Sequence, residues 1–309
     1  MSLGTRRTQP AIAGATAATI ASLERQPGAD VWKGRAFKGV LLAGVGLALL
    51  GLVALIADSL VEGAPRLGLD LVFSKGSSDP TKAGLLPALL GSIYIMGGVV
   101  LLTVPLGLGA AIYLEEYADK TRWWNRLVEL NIQNLAAVPS IVYGILGLAF
   151  IVRGPADLGF ILAAGAITLA LLVLPTVILA SREAIRAVPD SIRQGSLALG
   201  ATQWQTIRRQ ILPASIPGIV TGVILAISRA IGETAPLLLV GATVFVTFNP
   251  DFFGADGYTA LPVQIFQWVT RPQDEFRVLA AAAIVVMLIL LLAMNSFAIW
   301  LRNRYEQRW

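Results

Sequence analysis

The sequence contains no cysteine and no histidine among its 309 residues. The absence of cysteine excludes disulfides, thiolate metal sites and cysteine nucleophiles. The absence of histidine removes the commonest metal ligand, general base and proton relay. A P-loop pattern, Gly-x-x-x-x-Gly-Lys followed by Ser or Thr, is also missing, so the chain cannot hydrolyse ATP by that route. We therefore expect no metal centre, no cofactor and no catalytic constellation.

Charged residues are scarce as well. They make up 14% of the chain, whereas a soluble domain of this length carries roughly 25%. Hydrophobic residues make up 56%, and several apolar runs approach the length that crosses a bilayer. The composition predicts an all-α polytopic membrane protein. The sequence pI of about 9.7 does not indicate a nucleic-acid partner, because the basic residues lie in short flanks between the apolar runs.

Six apolar segments predict six transmembrane helices. The predicted spans are residues 37–61, 85–114, 131–152, 158–180, 217–240 and 278–301. Residues 1–36 are predicted to form a flexible N-terminal tail, and residues 303–309 are predicted to form a short C-terminal tail. Three spans contain an interior proline, whose freed carbonyls neighbouring helices can satisfy. These prolines are Pro105, Pro139 and Pro175.

The distribution of basic residues predicts the orientation of the chain. Six spans place both termini on the same side of the membrane. Most of the 24 Lys and Arg residues fall in the two tails and in the loops on the side of the termini. Because basic residues concentrate on the cytoplasmic side of membrane proteins, both termini and the loop 181–216 are predicted to be cytoplasmic.

The polar loop between the fourth and fifth spans is expected to hold two short helices. Pro189 suits the start of the first helix, and Gly200 suits its end. Thr202 and Gln205 have the spacing of a capping box that opens a second helix, which is expected to stop at Pro213. The resulting projection presents three arginines to an acidic partner or to the anionic lipid surface: Arg193, Arg208 and Arg209.

The fifth predicted span carries a charge pair, Arg229 and Glu233. Arg229 is expected near the bilayer centre, since it lies about 18 Å along the helix from Pro217. Glu233 follows one turn later on the same face. A helical projection at about 100° per residue puts four other residues on the same face, where they form one stripe with Arg229 and Glu233: Gly218, Gly222, Leu225 and Pro236. Gly-x-x-x-Gly lets another backbone approach closely, so the stripe predicts a pathway wall or a helix interface.

A charge pair at mid-membrane depth is costly and needs a reason. One alternative is a structural pair, in which Glu233 neutralises Arg229 and the two lock neighbouring helices together. The other is an arginine in the transport pathway, whose guanidinium donates two hydrogen bonds to a passing anion. In that case the Glu233 carboxylate would weaken the binding of the anion to Arg229, so that the anion can leave again.

One spacing in the polar loop matches a known motif. Six residues carry the match, Gln194, Gly195, Ser196, Gly200, Leu212 and Pro213, and Ala201 next to Gly200 is predicted to act with them in coupling. They resemble the EAA motif of the integral-membrane subunits of ATP-binding-cassette importers, which reads Glu-Ala-Ala, three residues, Gly, nine residues and Ile-x-Leu-Pro. The resemblance implies that the loop docks ATPase subunits. Ile211 lies one place later than the motif's Ile, and Gln194 lacks the usual carboxylate, so docking there would rest on shape and backbone contacts.

A wider resemblance covers residues from about 84 to 300. It rests on the segments GLLPALLGSIYIM, PLGLGAAIYLEEY, VPSIVYGILGL, ALGATQWQTI, SRAIGETAPLLLVGA and LPVQIFQWVTRPQDEF. These resemble phosphate-importer permease subunits of the PstA type. The resemblance implies a type I ABC importer permease fold, with residues 85–302 as the transport domain and 181–216 as its coupling loop. In that family, Arg229 and Glu233 match charged positions implicated in transport.

The resemblance also implies partners and a location. It predicts a heterodimer with a sister permease, two separate ATPase subunits and an extracytoplasmic phosphate-binding protein, all at the inner membrane. A permease for another oxyanion, such as molybdate or sulfate, is the alternative within this class. A stand-alone secondary transporter would show inverted repeats and paired broken helices, and no clear repeat is visible. A membrane-embedded enzyme would need clustered catalytic groups, which the sequence does not show.

Overall fold

The computed structural model describes residues 28–242, 246–254 and 257–305, and this part of the chain is α-helical. In chain order the helices are α1 (Gly28–Gly63), α2 (Leu69–Phe73), α3 (Leu86–Ile112), α4 (Trp123–Ala136), α5 (Ser140–Leu146), α6 (Leu162–Arg186), α7 (Asp190–Ala198), α8 (Gln203–Thr206), α9 (Leu212–Ile231), α10 (Ala235–Leu239), α11 (Leu261–Val269) and α12 (Asp274–Tyr305). A 3-10 turn, Ala64–Arg66, follows α1. Three π-helical segments continue α3, α5 and α8: Tyr113–Tyr117, Gly147–Val152 and Ile207–Ile211.

Among the described residues, 5 single helices are long and apolar enough to cross a membrane. The pair α4–α5 brings the number to 6 when it counts as one span, as the sequence predicted. The boundaries differ from the predicted ones. Helix α1 begins at Gly28 instead of Phe37, and the fifth span ends at Ile231. The predicted tails lie largely outside the described residues, which leave out 1–27 and 306–309.

The chain divides into two units, the first ending at Asp58 and the second starting at Ser59. The described part of the first unit is most of α1. Its apolar side chains from Trp32 onward are exposed, with Leu47 at 73%. A helix that is apolar on every side and exposed over its length has the composition of a segment that contacts lipid or another protein.

Helix α6 forms the core of the second unit. It packs against α3 and α9 and is buried along most of its length, with Leu162, Leu169 and Val177 at 0% exposure. Small residues allow this close packing, because a methyl group on Gly218 would lie 2.8 Å from the Cβ atom of Ala184. The scaffold of the second unit is therefore set by close helix contacts around α6.

The third predicted span is broken, where the sequence predicted one helix with a proline kink. Helices α4 and α5 are bent by 105° at the turn before Ser140. Pro139 causes the break, because it restricts the residue before it and donates no backbone hydrogen bond. The Tyr143 hydroxyl donates to the Leu135 carbonyl at 2.9 Å, which satisfies one of the carbonyls at the end of α4.

Candidate functional site

Arg229 and Glu233 meet, but not in the way the sequence predicted. The Arg229 Nε atom lies 3.4 Å from Glu233 Oε1. Arg229 is in the last turn of α9, which ends at Ile231 with Gly232 as its cap. Glu233 therefore lies in the turn between α9 and α10, beyond the helix on which it was placed, and Pro236 belongs to α10.

Within the described chain, Arg229 is exposed and Glu233 is partly buried. The side chain of Arg229 is 59% exposed, and that of Glu233 is 16% exposed. The terminal Nη1 and Nη2 atoms of Arg229 make no hydrogen bond to any described residue. Two of the three guanidinium nitrogens are thus free, and the guanidinium fork is open to a ligand or to another chain.

The packing of α9 on α6 explains why Arg229 is exposed. Small residues on α9 recur in steps of four: Gly218, Gly222, Ala226 and Ala230, of which Ala226 and Ala230 are buried. Gly218 and Gly222 face α6 directly, and Ala230 is fully buried. Ridges of residues four apart run at an angle to the helix axis. Arg229 and Leu225, the latter 67% exposed, lie on the neighbouring row and are left uncovered.

Two helix breaks lie next to each other at Arg229. Its side chain lines a small recess together with Leu135 and Val138 from the α4–α5 break. Helix α5 packs on α10, where a methyl group on Gly144 would lie 2.8 Å from the Pro236 Cα atom. The sequence did not predict the second break, although a glycine at 232 followed by Pro236 is a helix-end and helix-start signal.

The arrangement can hold an anion transiently. The last turn of α9 carries the negative end of the helix dipole, which favours the arginine cation there. The open fork of Arg229 matches the spacing of two oxygens of an oxyanion. Glu233 occupies one side of the guanidinium, so an arriving anion competes with a carboxylate that is already in place.

The polar loop folds as two short helices around a glycine, as predicted. Helix α7 follows Pro189, and Gly200 after it has a φ of 83°, in the left-handed region. Thr202 and Gln205 form the predicted capping box at the start of α8. The second helix does not stop at Pro213. It continues through the π-helical segment Ile207–Ile211 into α9, and this segment accommodates the missing backbone N–H of Pro213.

The motif residues of this loop are divided between a groove and its support. Gly195, Ser196 and Ala201 line an open groove between α7 and α8. The Ser196 and Thr206 hydroxyls lie 2.9 Å apart and tie the two helices together. Gln194 and Gly200 are exposed at the surface. Two further motif residues, Leu212 and Pro213, are half-buried at the start of α9 and do not line the groove.

One of the three loop arginines points inward, contrary to the prediction. Arg193 forms an ion pair with Glu116 at 2.9 Å, and Glu116 is 8% exposed. Arg193 also donates to the backbone carbonyls of Val188 and Ile185. It fixes α7 to the end of α3 and cannot serve a partner. The remaining two are exposed as predicted, Arg208 and Arg209.

A second ion-pair cluster joins α3 to α6. Glu115, 5% exposed, lies 3.4 Å from Arg182, 3.0 Å from Arg186 and 3.0 Å from Lys120. A buried carboxylate persists when cations and hydrogen bonds satisfy it. The sequence predicted no role for Glu115, although two consecutive acidic residues at the end of an apolar run are a visible signal.

Residues 103–309 match the family model of binding-protein-dependent transport system inner membrane components. The chain belongs to this family. It is 33% identical to the phosphate transport system permease protein PstA of Haemophilus influenzae, over 84% of this chain and 90% of that protein. It is 38% identical to the PstA 1 permease of Mycobacterium tuberculosis H37Rv, over 71% and 70% of the two chains.

Solved structures of other importers share the fold of this permease family member. A chain of a bacterial alginate ABC transporter aligns with a TM-score of 0.64 over 87% of this chain and 94% of that chain, at 14% identity. A chain of the MetNI methionine ABC transporter aligns with a TM-score of 0.56 over 72% and 95%, at 17% identity. The fold is therefore that of a type I ABC importer permease, and the chain is a multi-pass inner-membrane protein.

Proposed function

We propose that this chain is the permease subunit of an ATP-driven phosphate importer and forms half of its translocation pathway. The observation that carries the proposal is the identity of 33% to a phosphate permease across 84% of this chain. A likeness of that extent covers the helices on both sides of Arg229 and the loop with α7 and α8. It favours phosphate over molybdate or sulfate, which stay the alternatives.

Arg229 and Glu233 are the proposed contact for the passing phosphate. The open guanidinium fork is the support for this role, since phosphate oxygens take two parallel hydrogen bonds from an arginine. Glu233 at 3.4 Å keeps the site from binding too tightly. A second chain facing this exposed side would complete a pathway between the two, with Arg229 on one wall.

The loop formed by α7 and α8 is the proposed docking site for the ATPase subunits. Its groove and exposed Leu199, 90% accessible, offer shape and apolar contact in place of the missing motif carboxylate. ATP hydrolysis is assigned to two separate subunits, because this chain has no P-loop. The Lys and Arg distribution supports a cytoplasmic position for the loop and for both termini.

The remaining parts of the complex follow from the same proposal. The transport domain is residues 85–302, preceded by the first transmembrane helix and flanked by cytoplasmic tails. A sister permease pairs with this chain as a heterodimer. An extracytoplasmic phosphate-binding protein delivers the substrate on the opposite side from α7 and α8.

The test is anion uptake by the assembled complex. The chain is expressed with its neighbouring transport subunits, purified as a complex and reconstituted in proteoliposomes with ATP inside and the binding protein outside. We expect accumulation of labelled phosphate and none of labelled sulfate or molybdate. Uptake of sulfate or molybdate in place of phosphate would assign the chain to the other substrate. Uptake without ATP or any ATPase subunit would make it a secondary transporter.

A further inference from the structure

A cationic cleft lies where α3 ends and α4 begins, apart from Arg229 and from the docking loop. Four of its lining residues are charged: Lys120, Arg126, Glu129 and Arg182. Lys120 is bonded to Glu115, and Glu129 to Arg182 at 2.9 Å. Arg126 is exposed, and its side chain has no partner among the described residues. The cleft therefore offers an uncommitted cation to an anion.

Arg182 gives a second indication that the cleft takes a ligand. The residue is 4% exposed. Its Nε atom is buried and has no hydrogen-bond partner among the described residues, although its Nη2 atom bonds two carboxylates. A buried guanidinium N–H without an acceptor is costly, and an acceptor in the cleft would satisfy it.

An apolar groove lies beside the cleft, between α4, α6 and the helix α5 with its π-helical extension. Six of its lining residues are Ile132, Leu135, Phe150, Leu171, Leu174 and Ile178. Phe150 is 58% exposed and Leu171 is 48% exposed, so the groove is open at the surface of the described chain. A groove of this kind is suited to a hydrocarbon chain.

The cleft and the groove adjoin each other. On α4, Glu129 of the cleft lies one turn before Ile132 of the groove. On α6, Arg182 of the cleft lies one turn after Ile178 of the groove. From Arg126 to Leu135 the distance along α4 is about 13 Å at 1.5 Å per residue. One amphiphile can therefore reach both, with its charged end in the cleft and its apolar end in the groove.

The start of α4 has the composition of a membrane–water interface. Trp123 and Trp124 are exposed and pack edge to face, with ring centroids 5.8 Å apart. The Arg122 guanidinium lies 5.4 Å from the centre of the Trp124 ring. Tryptophan and arginine are favoured at the headgroup level of a bilayer. The cleft is thus at the depth of lipid headgroups, and the groove points toward the bilayer interior.

We infer that the cleft and groove form a binding site for one anionic phospholipid, whose phosphate group lies against Arg126 and Arg182 and whose acyl chain fills the groove. Charge complementarity and the change from polar to apolar lining along one crevice carry this inference. A free phosphate would use the cleft but leave the groove empty. A helix of another subunit would fill the groove but leave the buried Nε of Arg182 without an acceptor.

The test uses the assembled, purified complex and a photoactivatable phosphatidylglycerol with the reactive group in its acyl chain. We expect crosslinks on α4 and α6 at the groove, and much weaker labelling by the matching phosphatidylcholine. Arg126→Gln should lower the phosphatidylglycerol crosslink about fivefold, because it removes the exposed cation that lies against the lipid phosphate. Arg122→Gln is the matched control, because Arg122 is exposed but pairs with Asp119 and does not line the cleft.

A second pair of variants tests the groove. Leu171→Trp should reduce the crosslink by filling the groove, whereas Leu106→Trp on α3, also exposed at 59%, should not. Four results would overturn the inference. The first two are equal labelling by the two lipids and equal loss of lipid labelling in Arg126→Gln and Arg122→Gln. The third is crosslinking to a peptide of the sister subunit in place of lipid. The fourth is loss of labelled inorganic phosphate binding in Arg126→Gln with lipid labelling unchanged. Lipid labelling is measured without transport, so its result does not depend on whether the complex takes up phosphate.

Discussion

Arg229 donates one hydrogen bond to Glu233 and keeps the rest of its guanidinium exposed. An ion pair exposed to this extent contributes about 0–1 kcal/mol to stability. A purely structural role would therefore add little stability, because replacing either partner with a neutral residue would lose only this small contribution. A transport role uses the same exposure, because a guanidinium that is open on one side can exchange one acceptor for another.

The first prediction separates these roles by a double substitution. Arg229→Gln should lower phosphate uptake at least tenfold, since a neutral amide lacks the forked, charged donor. Glu233→Gln should lower turnover, because phosphate then binds an unmasked arginine and leaves slowly. The double variant should stay inactive, since no cation is restored. Uptake is measured in proteoliposomes, with membrane abundance checked by immunoblot.

Arg277→Gln is the control for this experiment. Arg277 is 62% exposed and forms a similar short-range pair with Asp274, but it lies outside the proposed pathway. Its replacement should leave uptake unchanged. Near-normal uptake in the double variant Arg229→Gln/Glu233→Gln would mean that the pair is structural after all.

At the scale of helices, the two adjacent breaks hold the candidate pathway in place. Gly144 on α5 lies against the backbone of Pro236 on α10. The contact is between two backbones, so neither side can move a flexible side chain out of the way. We therefore regard Gly144 as the residue that sets the distance between the breaks.

The second prediction concerns this contact. Gly144→Ala should destabilise the permease by about 1–3 kcal/mol, the usual cost of overpacking. Gly97→Ala on α3 is the matched control, because nothing lies within 4 Å of the added methyl group. It should be neutral or stabilising by up to about 1 kcal/mol, since alanine favours helix. Denaturation midpoints of the purified proteins give both values, and equal midpoints for the two variants would contradict the prediction.

The third prediction concerns the turn between α7 and α8. Gly200 has a φ of 83° and open space around its Cβ position. Gly200→Val should abolish phosphate-stimulated ATPase activity of the complex, because a β-branched residue resists this backbone conformation. Gly200→Asn should keep most of the activity, since asparagine tolerates the left-handed region and adds comparable bulk. Equal loss of ATPase activity in both variants would mean that the size of the side chain causes the loss and that the backbone conformation does not.

The helices also show where sequence reasoning succeeds. The capping box at Thr202 and the end of α7 at Gly200 were predicted because each depends on residues within one turn. The pairing of Arg193 with Glu116 was missed because its partners come from distant parts of the chain. The break at Gly232 has a local signal, a glycine followed four residues later by a proline. The exposure of Arg229 depends on how α9 crosses α6, which no periodicity within α9 specifies.

At the scale of the whole chain, the Lys and Arg distribution predicts the topology. The fourth prediction uses the natural lack of cysteine, which makes single-cysteine variants simple to prepare. Arg208→Cys should react with an impermeant maleimide only from the cytoplasmic side. Asp274→Cys, at a position 91% exposed, should react only from outside. Labelling of both from the same side would contradict the predicted arrangement.

The uncovered row on α9 has a consequence for how the cell makes this protein. A copy inserted alone would present Arg229 and Leu225 to lipid, and an arginine inside a membrane helix costs about 2.5–3.5 kcal/mol on insertion scales. A partner subunit on that face removes the cost by covering the charge. Unassembled copies should therefore be recognised and degraded by membrane quality control. The cell could then keep the subunits in balance by clearing the excess, without matching their rates of synthesis.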